Sequence, residues 1–319
     1  RRSSGRRSTL GSSDGSLYVS ALSDVLCCVR LDDESANMST TEDKKPLPPP
    51  LINIDVEYAS DPFQCATYAY EIFEYLKTRE EHFRIKEYME MQTNLSAQVR
   101  AILVDWMVEV QENFELNHET LYLGVKLVDS YLSHIKVSKQ SLQLVGAASL
   151  MIAAKFDERI PPAIEDFLYI CDGAYKRRDM TKMEVNILKV VNFELGFPLS
   201  YRFLRRYGRC AKVPLPLLTL ARFILEYTLM DYSIAFLSES KLACAALFLA
   251  FKMKKEQGWD DTLIHFTGYR VEDFIDIVHV LNNILHQKPR QSTQTVRNKY
   301  SHKVFYEVAK IPLVCNKEL

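Results

Sequence analysis

Downstream of about Leu51 the chain carries the period of a helix almost without interruption. Apolar residues recur at i, i+3, i+4 and i+7, the spacing that lines one face of an α-helix. Helices are predicted over residues 62–77, 96–114, 118–134, 139–157, 164–169 and 180–191, and again over 201–211, 216–230, 239–256, 261–266 and 271–286. Ser96 stands immediately before an apolar run and Ser200 at the head of the second series, both residue types that cap helix N-termini. The two series resemble each other. Residues 146–156, GAASLMIAAKF, line up with 243–253, ACAALFLAFKM, and the later GAYKRRDMTKMEVNIL lines up with TGYRVEDFIDIVHVLN. Both central segments are rich in small residues, which lets neighbouring helices approach closely. The expected fold is all-α, a tandem duplication of one helical bundle built around a central apolar helix, with the copies joined near residues 195–200.

The pattern differs before Leu51. That stretch is rich in Ser, Thr, Asp and Pro, ends in LPPP, and holds no sustained period; it reads as disordered, with residues 17–28 at best a short local element. The expected organisation is a disordered tail over 1–52, a segment with one helix over 53–95, a first bundle over 96–196, a second over 197–288 and an extension over 289–319. The sequence opens Arg1-Arg2-Ser3-Ser4 rather than with Met, as a fragment or a processed form would.

Composition narrows the function classes. Of 319 residues 47% are hydrophobic and 25% charged, with 16 Phe and 17 Tyr, which is ample for buried cores. A formal net charge of −1 gives no global attraction to nucleic acid or to an anionic membrane. Seven cysteines are scattered, only Cys27 and Cys28 being adjacent, without zinc-site spacing. Together with the lack of an 18-residue apolar run, they point to a soluble intracellular protein with reduced thiols. Gly-rich phosphate loops, HExxH and GxSxG are absent, and the seven His residues form no evident dyad with Cys. The expectation is a non-enzyme without metal or cofactor.

The segment 96–114, SAQVRAILVDWMVEVQENF, has apolar residues on more than one stripe and must bury more than one face. Here the sequence resembles the cyclin box. Val99-Arg100-Ala101-Ile102-Leu103-Val104-Asp105-Trp106 is similar to its opening motif, MRAILVDW in mitotic cyclins, and LQLVGAAS, AAKFDER followed by a Pro pair, DFLYICDGAY and MEVNILKVVNFEL follow in register. The resemblance runs from about Asp55 to the C-terminus. The helix preceding the box, YRFLRR and VRNKYSHKVFYEVAKIP are similar to B-type mitotic cyclins, and the whole is most like their third vertebrate class.

The resemblance implies tandem cyclin boxes and a regulatory subunit that forms a heterodimer with a cyclin-dependent kinase and activates it in mitosis or meiosis. It implies an internal salt bridge between Arg100 and Asp129. It places Lys155 and Glu184 as the polar pair that grips the kinase's regulatory helix, with Phe156, Leu188, Phe193 and Leu195 as apolar surroundings and Ile72 and Tyr75 as further kinase contacts. It makes Val99, Ile102, Leu103 and Trp106, with Glu109, Leu142 and Gln143, a patch that docks RxL-type peptides of substrates and inhibitors, an apolar groove beside a carboxylate. Val99 departs from the motif's usual Met. Nuclear localisation, with the cytoplasm as the alternative, is the corresponding expectation.

Arg202, Arg205, Arg206 and Arg209 make a dense basic cluster, read either as a phosphopeptide pocket or as a solvated helix face. In the tail, Arg7-Ser8-Thr9-Leu10 is a minimal RxxL of the kind that recruits a ubiquitin ligase. A competing reading is a cyclin-fold transcription adaptor that binds nucleic acid. It is disfavoured by the balanced charge and the missing zinc ribbon.

Overall fold

The structure is a computed structural model that describes residues 53–256, 258–288 and 290–319. The tail, its short element near residues 17–28, Cys27, Cys28 and the RxxL at residues 7–10 lie outside the described residues. Among the described residues there is no strand. The helices are α1 (Ile54–Glu57), α2 (Ala69–Arg79), α3 (Ala97–Asn113), α4 (His118–Leu132), α5 (Lys139–Asp157), α6 (Ile164–Ile170), α7 (Arg177–Val190), α8 (Ser200–Cys210), α9 (Leu215–Thr228), α10 (Glu239–Lys254), α11 (Asp261–Thr267), α12 (Ile275–His286) and α13 (Thr295–Tyr300). Helices α3–α7 form one box and α8–α12 a second.

Each box wraps its helices around a central one, α5 or α10, whose middle turns are buried throughout. The small residues act as expected. A Cβ on Gly146 would come within 2.8 Å of Leu103 Cδ1, so glycine is what lets α3 lie directly on α5.

Four local differences from the sequence reading have physical causes. The predicted helix 62–77 breaks after a short 3-10 turn, Pro62–Gln64, because Cys65 takes a left-handed backbone with φ 48°. Ser200 is not a cap: Leu199 holds that position, and the Ser200 N–H is satisfied at 2.9 Å by Glu239 Oε2, at the start of α10. The segment 271–286 divides into a 3-10 turn, Val271–Asp273, and α12. Helix α7 starts three residues earlier than predicted, since Asp179 Oδ2 accepts from the Lys176 N–H at 3.0 Å.

The boxes meet through Arg100 and Asp129. Arg100 donates to both Asp129 oxygens at 2.6 Å and from Nη1 to the Leu229 carbonyl of the second box at 2.9 Å, while the Tyr88 hydroxyl donates to Asp129 at 2.6 Å. All three side chains are buried. Removing one partner would strand a charge, so the cluster fixes the joint. Helix α2 precedes the first box but packs on the second: Phe73 lies 5.8 Å from Phe203, and Lys77 Nζ donates to the Thr267 carbonyl at 3.0 Å. Helix α1 anchors the same region, with Ile54 packed among Cys210 and Phe266.

Candidate functional site

Lys155 sits in the last turn of α5 and Glu184 in the middle of α7, and their side chains pair across the two helices at 2.5 Å. The lysine is half-exposed and the glutamate more sheltered. Such a pair is worth under about 1 kcal/mol to the isolated fold, so stability alone does not account for it. Its surroundings are unusual for a water-facing pair. Phe156 is 54% exposed and Phe193 65% exposed, with Ile160 and Val185 also open and Leu188 and Leu195 half-buried. Scattered exposed apolar residues are ordinary, whereas these large ones are neighbours in sequence of the two members of the ion pair or lie just after α5 or α7.

Local backbone geometry presents Phe193. After α7 the chain takes left-handed conformations at two successive non-glycine residues, Asn192 (φ 51°) and Phe193 (φ 59°), and the Phe193 N–H donates back to the Leu188 carbonyl at 2.8 Å. This closes the end of the helix and turns the next side chain outward.

The next residue joins this surface to α2. Glu194 contacts His82, and Arg79 Nη2, at the end of α2, lies 4.0 Å from its Oε2. The hydrogen bond from His82, opposed by some desolvation and helped by Arg79, holds the Glu194 carboxyl below its usual range. Tyr68, Ile72 and Tyr75 are exposed along α2 at i, i+4 and i+7, which share one helix face. Ile160, Val185 and Tyr68 are additions that sequence reasoning missed. The signal was their apolar character beside residues already singled out, but exposure is a property of packing that sequence does not display.

The proposed docking patch is rearranged by the structure. Leu103 is only 5% exposed and Leu142 3%, because Leu103 packs against the bare backbone of Gly146. They belong to the core and form at most the floor of a surface site. Ile102, at 41%, and Glu109 are exposed, and Val99, Trp106 and Gln143 are half-buried.

The basic cluster is largely engaged in contacts within the fold. Arg206 is buried, ion-paired with Asp55 and stacked over Phe73 and Phe266 at 5.5 and 5.2 Å. Arg205 donates to Glu119 at 2.6 Å, Arg202 lies 3.7 Å from Asp157, and Arg209 lies over Tyr58 at 5.9 Å. These guanidinium groups tie α1, α2 and the first box to α8, with Arg206 buried and Arg202 and Arg205 still partly exposed.

Among the described residues no group of three or more His, Cys, Asp or Glu side chains could hold a metal ion, and no helix is long and apolar enough to cross a membrane. Cys65, Cys171, Cys210, Cys244 and Cys315 are free thiols.

Comparison with known proteins places this architecture. Residues 71–196 match the family described as "Cyclin, N-terminal domain" and residues 198–313 the family described as "Cyclin, C-terminal domain". The chain belongs to the cyclin family. It is 50% identical to the G2/mitotic-specific cyclin-B3 of Drosophila melanogaster over 96% of this chain and 59% of that one. It is 52% identical to the protein of that name from Gallus gallus over 82% and 65% of the two chains, and 43% identical to that of Caenorhabditis elegans over 84% and 71%. The chain thus spans about 59% and 65% of the lengths of the fly and chicken relatives. Among solved structures, a viral cyclin from herpesvirus saimiri superposes with a TM-score of 0.61 at 22% identity, covering 68% of this chain and 97% of that one. A chain of the yeast RNA Pol II CTD kinase CTDK-1 complex superposes at 0.51 with 13% identity, covering 76% and 78%. Both likenesses concern the cyclin fold.

Proposed function

We propose that this chain is a non-catalytic activating subunit of a mitotic cyclin-dependent Ser/Thr kinase, acting in mitosis or meiosis. The observation that carries the reading is the fixed Lys155–Glu184 pair set among Phe156, Ile160, Val185 and Phe193, continued onto the exposed stripe of α2. A protein kinase is active only when a Lys–Glu ion pair inside it is closed, and the helix that bears that Glu is movable. A partner that binds the helix only in its inward position shifts the population of kinase molecules to the active state. The exposed aromatic rings supply binding energy by leaving water, and the polar pair supplies hydrogen bonds that orient the bound helix. No bond is made or broken on this chain.

Substrate choice belongs to the second surface. Ile102 and Trp106 on α3, with Val99 and Gln143 beside them and Glu109 at the edge, suit an extended peptide that inserts a leucine and offers an arginine. Nuclear localisation, and recruitment of a ubiquitin ligase through the RxxL at residues 7–10, complete the proposal.

The test is to add purified chain to an inactive, activation-segment-phosphorylated mitotic kinase and follow histone-peptide phosphorylation. Saturable activation that is lost in the Lys155→Ala/Glu184→Ala variant is expected. Absence of activation by the wild-type chain would remove the proposal. Trp106→Ala should leave activation of a short peptide substrate intact while raising the KM of an RxL-bearing one.

A further inference from the structure

The exposed face stands on two mounts. Lys155, Phe156, Glu184 and Phe193 belong to the first box, whereas Ile72 and Tyr75 belong to α2, which is fastened to the second box by Phe73 and Lys77 and meets the first at its end, where Arg79 lies near Glu194. A partner that engages both groups therefore reads the angle between the boxes.

Helix α13 is built to hold that angle. It follows α12 within the C-terminal cyclin domain, and its own segment is packed there: Tyr300 is 5.4 Å from Phe223, and Arg297 donates to the Leu285 carbonyl at 3.1 Å. From this base it reaches the first box twice. Thr295 donates from its backbone N–H at 3.1 Å and from its hydroxyl at 2.8 Å to Asp105 on α3. Lys299, with only 3% of its surface exposed, donates at 2.8 Å to Gln111 on α3 and at 2.6 Å to Glu226 on α9. The other Glu226 oxygen accepts from the Tyr300 hydroxyl at 2.8 Å. Glu226 is fully buried. An ion pair in such a place adds little net stability over apolar residues of the same shape, but it tolerates only one geometry. One ammonium thus touches both boxes at once, and none of these contacts uses a residue of the exposed face.

We propose that α13 is a positioning strap: by tying Asp105 and Gln111 of the first box to Glu226 of the second, it sets the angle between the boxes and so the spacing between the α2 part and the α5–α7 part of the kinase-binding face. The proposal rests on the reading that this face binds a kinase. Arg100 to Leu229, Arg205 to Glu119 and Lys126 to Glu239 also cross between the boxes. Loss of the strap therefore widens the distribution of angles without parting the boxes.

The experiment uses the full chain with exposed Cys65 and Cys315, and Cys27 and Cys28, replaced by Ser. Spin labels are carried at Glu71→Cys on α2 and Arg178→Cys on α7, both exposed, and the distance between them is measured by pulsed electron resonance. The informative variant is Lys299→Met/Glu226→Gln/Thr295→Val, which removes both charges of the pair together, with Thr295→Val, which leaves Glu226 beside Arg222, as a milder companion. The triple variant should show a broadened distance distribution and need about tenfold more chain for half-maximal kinase activation, within the usual range of coupling between sites, while reaching the wild-type maximum at saturation. Lys299→Arg, which keeps the cation, should behave nearly as wild type. A wild-type distance distribution in the triple variant would overturn the strap, and a broadened distribution with unchanged half-activation would overturn its link to the kinase. If the wild-type chain activates no kinase, the functional reading falls on that result alone, and the distance measurement still decides whether α13 fixes the angle.

Discussion

The two boxes repeat one design and differ at the end of the central helix. Lys155-Phe156 on α5 corresponds to Lys252-Met253 on α10, and Glu184 and Leu188 on α7 correspond to Val278 and Asn282 on α12. In the first box Phe156 stands in solvent and Lys155 reaches Glu184. In the second, Met253 and Val278 are buried, and Lys252 lies 5.2 Å over its own Phe248 ring. Asn282, fully buried, donates to the Val314 carbonyl at 2.9 Å. The second box thus closes with its own C-terminal segment a surface that the first leaves open. One fold leaves this face open in one copy and covers it in the other. What decides between them is a handful of side chains, not the helix arrangement.

Exchanging those side chains tests the contrast, and the largest effect is expected at the buried end. Val278→Glu would place an unpaired carboxylate in the second core and should cost more than about 3 kcal/mol in denaturant unfolding. The mirror change, Glu184→Val, should leave unfolding within about 0.5 kcal/mol of wild type yet raise the concentration for half-maximal kinase activation by about 100-fold, as loss of a central contact does. A folded and fully active Val278→Glu variant would end the comparison.

Deleting the two aromatic or thioether side chains gives a second contrast. Met253→Ala should lower stability by about 2–3 kcal/mol, the cost of a core cavity. Phe156→Ala should change stability by less than about 0.5 kcal/mol and weaken kinase activation about tenfold, read as a shift in a titration.

A third test concerns the buried charges between the boxes. Burial, with Arg222 nearby, lowers the His118 pKa to about 4, so the folded chain keeps this imidazole neutral. Its contribution is present above the unfolded value near 6.5 and is lost as pH falls, about 2 kcal/mol between pH 7 and 5. Glu112 acts in the opposite sense. Burial, only partly offset by Lys299, raises its pKa to about 7, so its ionisation destabilises the fold as pH rises, by a similar amount over the same window. These two contributions oppose each other between pH 7 and 5. Glu112→Gln should stabilise the chain at pH 7 and uncover the fall towards pH 5 in urea unfolding. A flat profile in that variant would contradict the His118 assignment.

The smallest effect is predicted for Lys252→Ala, the counterpart of Lys155. It should move neither stability beyond about 0.5 kcal/mol nor kinase activation measurably.

Much of this was legible in sequence because periodicity and duplication are local signals. The span of α5 and the Ser96 cap follow from apolar spacing and one residue type. What stayed hidden depends on three-dimensional neighbours. Leu103 and Ile102 are adjacent apolar residues on α3, and only the approach of Gly146 sends one into the core and the other to the surface. Arg206 resembles a solvated cation until Asp55, about 150 residues earlier, is seen beside it. Helix α13 is six residues long, too short to carry a period, and its role lies in Lys299, whose partners come from both boxes.

The most direct test of the central claim is a hydrogen-exchange footprint of the chain with and without saturating, phosphorylated mitotic kinase. The account predicts protection over residues 68–75, 155–160 and 184–195 and none over 252–256 or 278–286. Protection centred on the second box, with the end of α5 unchanged, would contradict it.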